Sequence, residues 1–230
     1  LMATIDAKGA LTNRKSFFAR GFGLGQAGHL GWRLMRMKCL DALDGLLAHQ
    51  LPGRKRSIRA VARKHRIPFS RIADPNAAAF LKRLQGLQVD LVVSLSAPCV
   101  FGPELLAVPI HGCINLHCSL LPRFAGLLPS FWVLYHGETV TGATVHYMDS
   151  KIDNGSILGQ VRVAIEPGTT LFDLIQKTKA AGGDLMVEVI RRIQSGDVEP
   201  TPNRAEEGSY FSWPTIDQMR QFRRRGGRFV

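Results

Sequence analysis

The chain is short of acid, short of cysteine and without a long apolar run. No stretch reaches the ~18 apolar residues that a membrane helix needs, so no spanning segment is expected. The start, "LMATIDAKG", lacks a basic segment followed by an apolar core, so no secretory signal is expected either. The four cysteines, Cys39, Cys99, Cys113 and Cys118, form no CxxC pair. Neither a disulfide framework nor a zinc site fits that spacing; reduced thiols in a cytoplasmic protein do, and no metal is expected. There is no internal repeat and no low-complexity segment.

Acidic residues number 18 against 30 basic ones, a net charge of +12. The excess is local. Residues 1–66 carry 14 Lys/Arg against 3 Asp/Glu, residues 67–203 carry 10 against 12, and residues 204–230 carry 6 against 3. Basic flanks attract nucleic acid, anionic lipid or a phosphorylated ligand; the plainer reading is a set of solvated helix faces. Apolar residues make up 45% of the 230, enough for a sizeable core and against global disorder.

Leu1–Ala7 reads as a short strand. Residues 14–50 read as helix, broken over Gly21–Gly28, with Trp32, Met35, Cys39, Leu40, Leu43, Leu46 and Leu47 at helical spacing and a stop at Pro52-Gly53. A basic helix over Ser57–His65 and a strand in "IPFSRI" follow. Asp74 is the expected cap of the next helix, with Pro75 at its first position. "DLVVSLSA" (Asp90–Ala97) and "GCINLH" read as buried strands, with "PELLAV" a short helix between them. "PSFWVLYHG" is helical to Gly137. "TVTGATVHYMD" and "SILGQVRVAI" are strands joined through "SKIDNG", where Asn154-Gly155 predicts a hairpin turn. A helix capped by Thr169/Thr170 runs to Gly196, with an irregularity expected at Gly182-Gly183. A strand-like piece and a basic helix or tail close the chain.

Strands alternating with helices, then a hairpin, predict an α/β fold: a mostly parallel sheet flanked by helices, with a C-terminal antiparallel hairpin. The expected division is a partial N-terminal strand and basic helical region (1–56), a core (57–200), and a strand with a basic tail (201–230). In such sheets ligands bind beyond the carboxyl ends of the strands. Asn115 and His117, two apart, share one face at such an end.

"INLHCSLLPRFAG" resembles the N-x-H-P-S-L-L-P-x-x-x-G signature of the 10-formyltetrahydrofolate-dependent formyltransferases. "TGATVHYMDSKIDNGSILGQ" is similar to the family's second signature, and the separation of Asn115 from Asp153 suits the family's Asn-His-Asp triad. The resemblance covers residues 57–167 well and residues 1–56 poorly. It implies a Rossmann-like domain, 10-formyltetrahydrofolate as co-substrate, and transfer of a formyl group to an amine. By position, Asn115, His117 and Asp153 are its catalytic residues. Ala97, Pro98, Cys99, Val100, Phe101, Asp149 and Ile152 line its folate pocket. Ser119, Leu121, Pro122 and Gly126 form the acceptor loop. Cys118 stands where the family has Pro and reads as a small space-filler. The family's first strand–helix unit is poorly matched: either it is expected to be lacking and Leu1–Ala7 is the domain's second strand, or Leu1–Ala7 is the first strand and residues 14–56 are an insertion.

The chemistry suits these residue types. As an amine attacks the formyl carbon, charge gathers on its oxygen, and each aimed donor is typically worth ~3 kcal/mol. Asn115 and His117 can donate to it. Asp153 can take the proton the amine loses and hold the His117 tautomer. The acceptor stays open: a nucleotide-linked amino sugar, glycinamide ribonucleotide, methionyl-tRNA, or water in a hydrolase. A non-catalytic nucleic-acid-binding module is the remote alternative, and homodimerisation stays open. His146, on the strand leading to Asp149, is the foremost of the remaining histidines.

Overall fold

The structure is a computed structural model that describes residues 2–5, helical positions 25, 28, 29, 31, 32, 35, 36, 39, 40, 42 and 43, and residues 57–230. The chain divides into two compact units, Leu1–Asp74 and Pro75–Val230. The first unit runs to residue 74, and residues 201–230 fall within the second.

In the first unit, β1 (Met2–Ile5) pairs in parallel with β2 (Phe69–Ile72), Met2 opposite Phe69. This explains the boundary: residues 57–74 lead into a strand whose partner is the N-terminal one. Between them lies α1 (Ile58–Lys64), capped by Ser57, whose Oγ accepts from the Ala60 N–H at 3.2 Å. Trp32, Met35 and Leu43 are exposed at helical positions. The break expected over 21–28 falls largely outside the described residues, as do Leu46, Leu47 and the stop at Pro52-Gly53.

The second unit opens with α2 (Ala78–Gly86). The helix starts later than Asp74 predicts and has no side-chain cap. Asn76 is used elsewhere: its Nδ2 donates to Val100 O (3.0 Å) and its Oδ1 accepts from Gly102 N–H (2.7 Å), pinning the loop after the next strand. That strand is β3 (Val92–Leu95), followed by α3 (Pro103–Leu106), β4 (Cys113–His117), β5 (Ala125–Gly126), α4 (Pro129–Tyr135), β6 (Val140–Tyr147) and β7 (Ile157–Ala164). The sheet order is β3-β4-β6-β7, with β3 parallel to β4 and the β6–β7 hairpin antiparallel. Among the described residues no strand pairs with the outer edge of β3, and Val93 and Leu95 on it are exposed.

A 25-residue helix, α5 (Leu171–Ser195), covers one face of this sheet. Thr170 caps it by accepting from Asp173 N–H, and Gly196 at φ 77° closes it. Ile114 and Val145 from the sheet pack with Leu158, Met186, Val189 and Ile193 into the core. Alternation along β4 and β6 sends Ile114, Leu116, Ala143 and Val145 to this apolar side, and Asn115, His117, Thr144 and His146 to the other. The Gly182-Gly183 pair does not interrupt the helix. A Cβ on Gly182 would lie 2.7 Å from Leu116 Cδ1 and 2.9 Å from Ala143 Cβ, so this glycine lets the helix settle onto the sheet.

The chain ends with β8 (Tyr210–Phe211), which pairs with β5, and α6 (Ile216–Arg224), begun by a Thr215/Gln218 capping box. Phe222 and Phe229 pack on Phe131 of α4, and Phe211 stacks on Trp132, which is why these residues join the second unit.

Candidate active site

The face of the sheet turned away from α5 carries the site. Asn115 and His117 end β4, and the antiparallel register sets His146 directly opposite Asn115 and Thr144 opposite His117. The β6–β7 connection is not the two-residue turn that Asn154-Gly155 predicts. It runs through residues 148–156, with the positive φ at Asp153 (51°) instead, and folds back over the polar face. Gly155 permits this, because a Cβ there would stand 2.0 Å from Tyr147 O.

Asp153 is thereby brought to the strand end. Its Oδ2 lies 3.2 Å from His117 Nδ1 and accepts from the Gly126 N–H at 2.8 Å; its Oδ1 lies 3.5 Å from His146 Nε2. Asn115 Nδ2 is 3.3 Å from His146 Nε2. So the three sequence-predicted catalytic residues do converge, and His146 joins Asn115 to Asp153. The side chains of His117, His146 and Asp153 are all more than nine-tenths buried.

The tautomers follow from the acceptors. His117 Nε2 lies 2.8 Å from Phe124 O, which can only accept, so Nε2 carries a hydrogen and Nδ1 faces Asp153. His146 Nδ1 lies 2.7 Å from Tyr147 O, so Nδ1 carries its hydrogen and Nε2 accepts from Asn115. One N–H of the Asn115 amide remains for another partner. Burial pushes the His117 imidazolium below its ordinary value, although Asp153 and the Phe124 carbonyl pull the other way. Burial pushes the Asp153 carboxyl up, but its contacts with His146 and His117 and the Gly126 N–H together hold it below the ordinary carboxyl value. An ionised carboxylate beside an unprotonated Nδ1 is a ready acceptor for one proton.

The expected acceptor loop is built largely to hold itself. Ser119 is fully buried and donates to Arg123 O (2.9 Å), while Leu121 is buried and its N–H donates to Thr144 Oγ1 (3.1 Å). Gln160 Nε2 closes on Leu121 O (2.8 Å). Gly126 has φ 95°, and a Cβ there would meet Phe211 O at 2.2 Å; its residue type is set by β8. Pro122 lies under Gly208, whose Cβ would meet Pro122 O at 2.2 Å. Around the expected folate loop, Pro98, Cys99 and Val100 are exposed, Ala97 is half-buried and Phe101 is buried. Asp149 accepts from Lys151 N–H and Asn154 Nδ2, so its carboxylate shapes the loop that leaves Ile152 exposed and Asp153 buried. Cys118 is half-buried, and burial pushes its thiol up against the nearby Lys179 charge and a hydrogen bond with Thr178, as suits a space-filler. Phe124 is the partner that sequence reasoning missed; its role is carried by a backbone carbonyl and leaves no side-chain signal.

The chain that carries this strand end is similar to known proteins. The family described as formyl transferase matches residues 50–190, and the chain belongs to that family. It is 33% identical over 149 residues to a methionyl-tRNA formyltransferase of Myxococcus xanthus, covering 65% of this chain and 48% of that protein. The chain thus spans about half the length of the curated relatives it matches. Glycinamide ribonucleotide transformylase 1 from Symbiobacterium toebii superposes with TM-score 0.56 at 26% identity, over 72% of this chain and 89% of that one. A formyltransferase from Anoxybacillus kamchatkensis, solved with UDP-4,6-dideoxy-4-formamido-L-AltNAc and tetrahydrofolate, gives 0.55 at 25% identity, over 70% and 82%. Among the described residues, no helix is long and apolar enough to cross a membrane.

Proposed function

We propose that this chain transfers a formyl group from 10-formyltetrahydrofolate to a primary amine of a small molecule, a nucleotide-linked amino sugar being the class we favour. The observation that carries the reading is the contact of His117 Nδ1 with Asp153 Oδ2 at 3.2 Å, beside Asn115 at the end of β4. The free N–H of Asn115 donates to the formyl oxygen as negative charge develops there. His117, locked by Phe124 through Nε2, and Asp153 act as one unit. They take the proton that the attacking amine loses and return one to the folate N10, which leaves as a neutral amine as the tetrahedral adduct collapses to the formamide. This shifts His117 from donor, as the sequence suggests, to proton acceptor, because its one N–H, on Nε2, is already given to Phe124 O while Nδ1 keeps its lone pair beside Asp153.

The folate reading is supported by the loops after β3 and β6, where Val100 and Ile152 expose apolar surface. The amino-sugar reading rests on the Anoxybacillus kamchatkensis neighbour and its bound UDP-sugar. A second reading, a methionyl-tRNA acceptor, is favoured by the curated relatives and by the cluster of Arg223, Arg224, Arg225 and Arg228 near the C-terminus. One assay divides these. The protein is mixed with 10-formyltetrahydrofolate, and tetrahydrofolate release is followed alone, with nucleotide-linked amino sugars, with glycinamide ribonucleotide and with methionyl-tRNA. Release that depends on an amino sugar is expected. Release without any amine means hydrolysis, and no release under any condition sinks the reading.

A further inference from the structure

We infer that the segment Asn203–Phe211, which lies beyond the residues matched by the family, is part of the catalytic apparatus: Ser209 positions His117 through the Phe124 peptide, and Asn203 positions Asp153 through its backbone. The inference deepens the reading of His117 and Asp153 as one proton-accepting unit, and it rests on that reading.

The path is short at each step. Phe124 has φ 59°, a conformation that a bulky side chain adopts only when its surroundings hold it there. Ser209 holds its N–H side, Oγ accepting from the Phe124 N–H at 2.9 Å, while Ser119 Oγ donates to its carbonyl at 3.2 Å. The carbonyl of the same residue then receives His117 Nε2–H at 2.8 Å. Ser209 therefore fixes the acceptor that fixes the His117 tautomer, and with it the lone pair on Nδ1 that faces Asp153. Backbone pairing supports the same contact from both sides: Ala125 N–H donates to Ser209 O (2.8 Å), Leu127 N–H to Phe211 O (2.8 Å), and Ser209 N–H to Pro122 O (3.2 Å).

Asn203 works on the other half of the unit. Its Nδ2 donates to Asp153 O at 2.9 Å, across 50 residues of chain. Asp153 is itself in the left-handed region at φ 51°. The Gly126 N–H that reaches its Oδ2 is positioned by the pairing of β5 with β8, in the same segment. One short stretch of chain thus braces the loop under His117 and the loop that carries Asp153. Ser209 and Asn203 are positioning residues, since each acts through another group.

The test uses the full chain without substrate, so its outcome does not depend on whether formyl transfer occurs. With ring-nitrogen-labelled histidine, His117 is assigned by the signals lost in His117→Gln, and its two nitrogens are followed across pH. In the parent protein the hydrogen is expected to sit on Nε2 alone. In Ser209→Ala the two tautomers are expected to mix, and Ser209→Thr, which keeps the hydroxyl, is expected to restore the parent signals. If Ser209→Ala does not fold, Ser209→Cys, similar in size and a poorer acceptor, gives the same readout. A folded variant lacking the hydroxyl whose His117 signals match the parent overturns the proposal. Asn203→Ala is expected to raise the Asp153 carboxyl titration toward 3.8, followed by carboxyl carbon shifts; an unmoved titration removes Asn203 from the proposal.

Discussion

Replacing Asp153 by Asn removes a charge and keeps a shape. The new amide can still accept from the Gly126 N–H through its oxygen and can donate to His117 Nδ1 through its nitrogen, so no buried group is left without a partner. One charge-assisted hydrogen bond, from the Gly126 N–H, becomes a neutral one, a loss of about 1 kcal/mol, while the cost of burying a charge disappears. Net stability at pH 7 is therefore expected within roughly 2 kcal/mol of the parent. Turnover is expected to fall far more. A positioned base contributes about 100- to 10,000-fold, and the amide cannot take the amine's proton. The pH dependence separates the two effects. The folded Asp153 carboxyl titrates below its ordinary value of 3.8, so the ionised form contributes stability that is complete above the unfolded value and is lost as pH falls through the folded one. The stability gap between parent and variant should therefore move toward the variant's favour on acidification below 3.8. Urea unfolding across pH, beside tetrahydrofolate release at neutral pH, measures both. A folded Asp153→Asn protein with near-parent turnover refutes the proton-acceptor assignment.

Three further sets of substitutions test the packing that holds the site. Gly182→Ala pushes a Cβ against Leu116 and Ala143 and should cost about 1–3 kcal/mol, whereas Gly183→Ala meets nothing within 4 Å and should stabilise the helix by roughly 0.5–1 kcal/mol; thermal unfolding of the pair reads the contrast. Gly126→Ala should cost about 2 kcal/mol or more and remove most turnover by forcing β5 from β8, while Gly137→Ala, at φ 73° with open space around it, should lose some stability and keep its activity; urea unfolding beside tetrahydrofolate release reads both. His146→Leu leaves the Asn115 amide without its acceptor and should lower kcat about tenfold, the equivalent of one lost hydrogen bond; unchanged kcat would remove His146 from the site.

Much of the fold was legible because it depends on short-range pattern. The alternation in "CINLH" places Ile114 and Leu116 under α5 and Asn115 and His117 opposite them, and a period of two read along the chain is enough to say so. The Thr170 cap and Gly196 stop of α5 are likewise local. The readings that failed asked local signals to decide long-range matters. Gly182-Gly183 looks like a break because glycine weakens a helix, yet the residue type at 182 answers to Leu116 and Ala143, far away in sequence. Asn154-Gly155 looks like a hairpin turn, yet the loop needs Gly155 for a close approach to Tyr147 O and puts its left-handed residue at Asp153. Asp74-Pro75 looks like a helix start, but the helix begins at Ala78, and Asn76 between them is committed to the loop at Val100–Gly102.

The site divides along the same line. Asn115, His117 and Asp153 carry side-chain chemistry, so their residue types mark them, and their convergence needs only a strand end and a returning loop. His146 requires the β4–β6 register before it can be set opposite Asn115. Phe124 acts through a carbonyl that any residue possesses, and Ser209 acts on that peptide from 85 residues away. A backbone acceptor leaves no mark on residue type, but it does leave one on conformation. Phe124 and Asp153 both hold positive φ, and each is tied down by a side chain from the same C-terminal segment. Strained non-glycine residues persist only where surrounding structure over-determines them. Arg66, Gln88, Ser96 and Leu128 share the conformation, so positive φ alone does not single out a site; what sets Phe124 and Asp153 apart is that one is bonded to His117, the other is its carboxylate partner, and one C-terminal segment holds both.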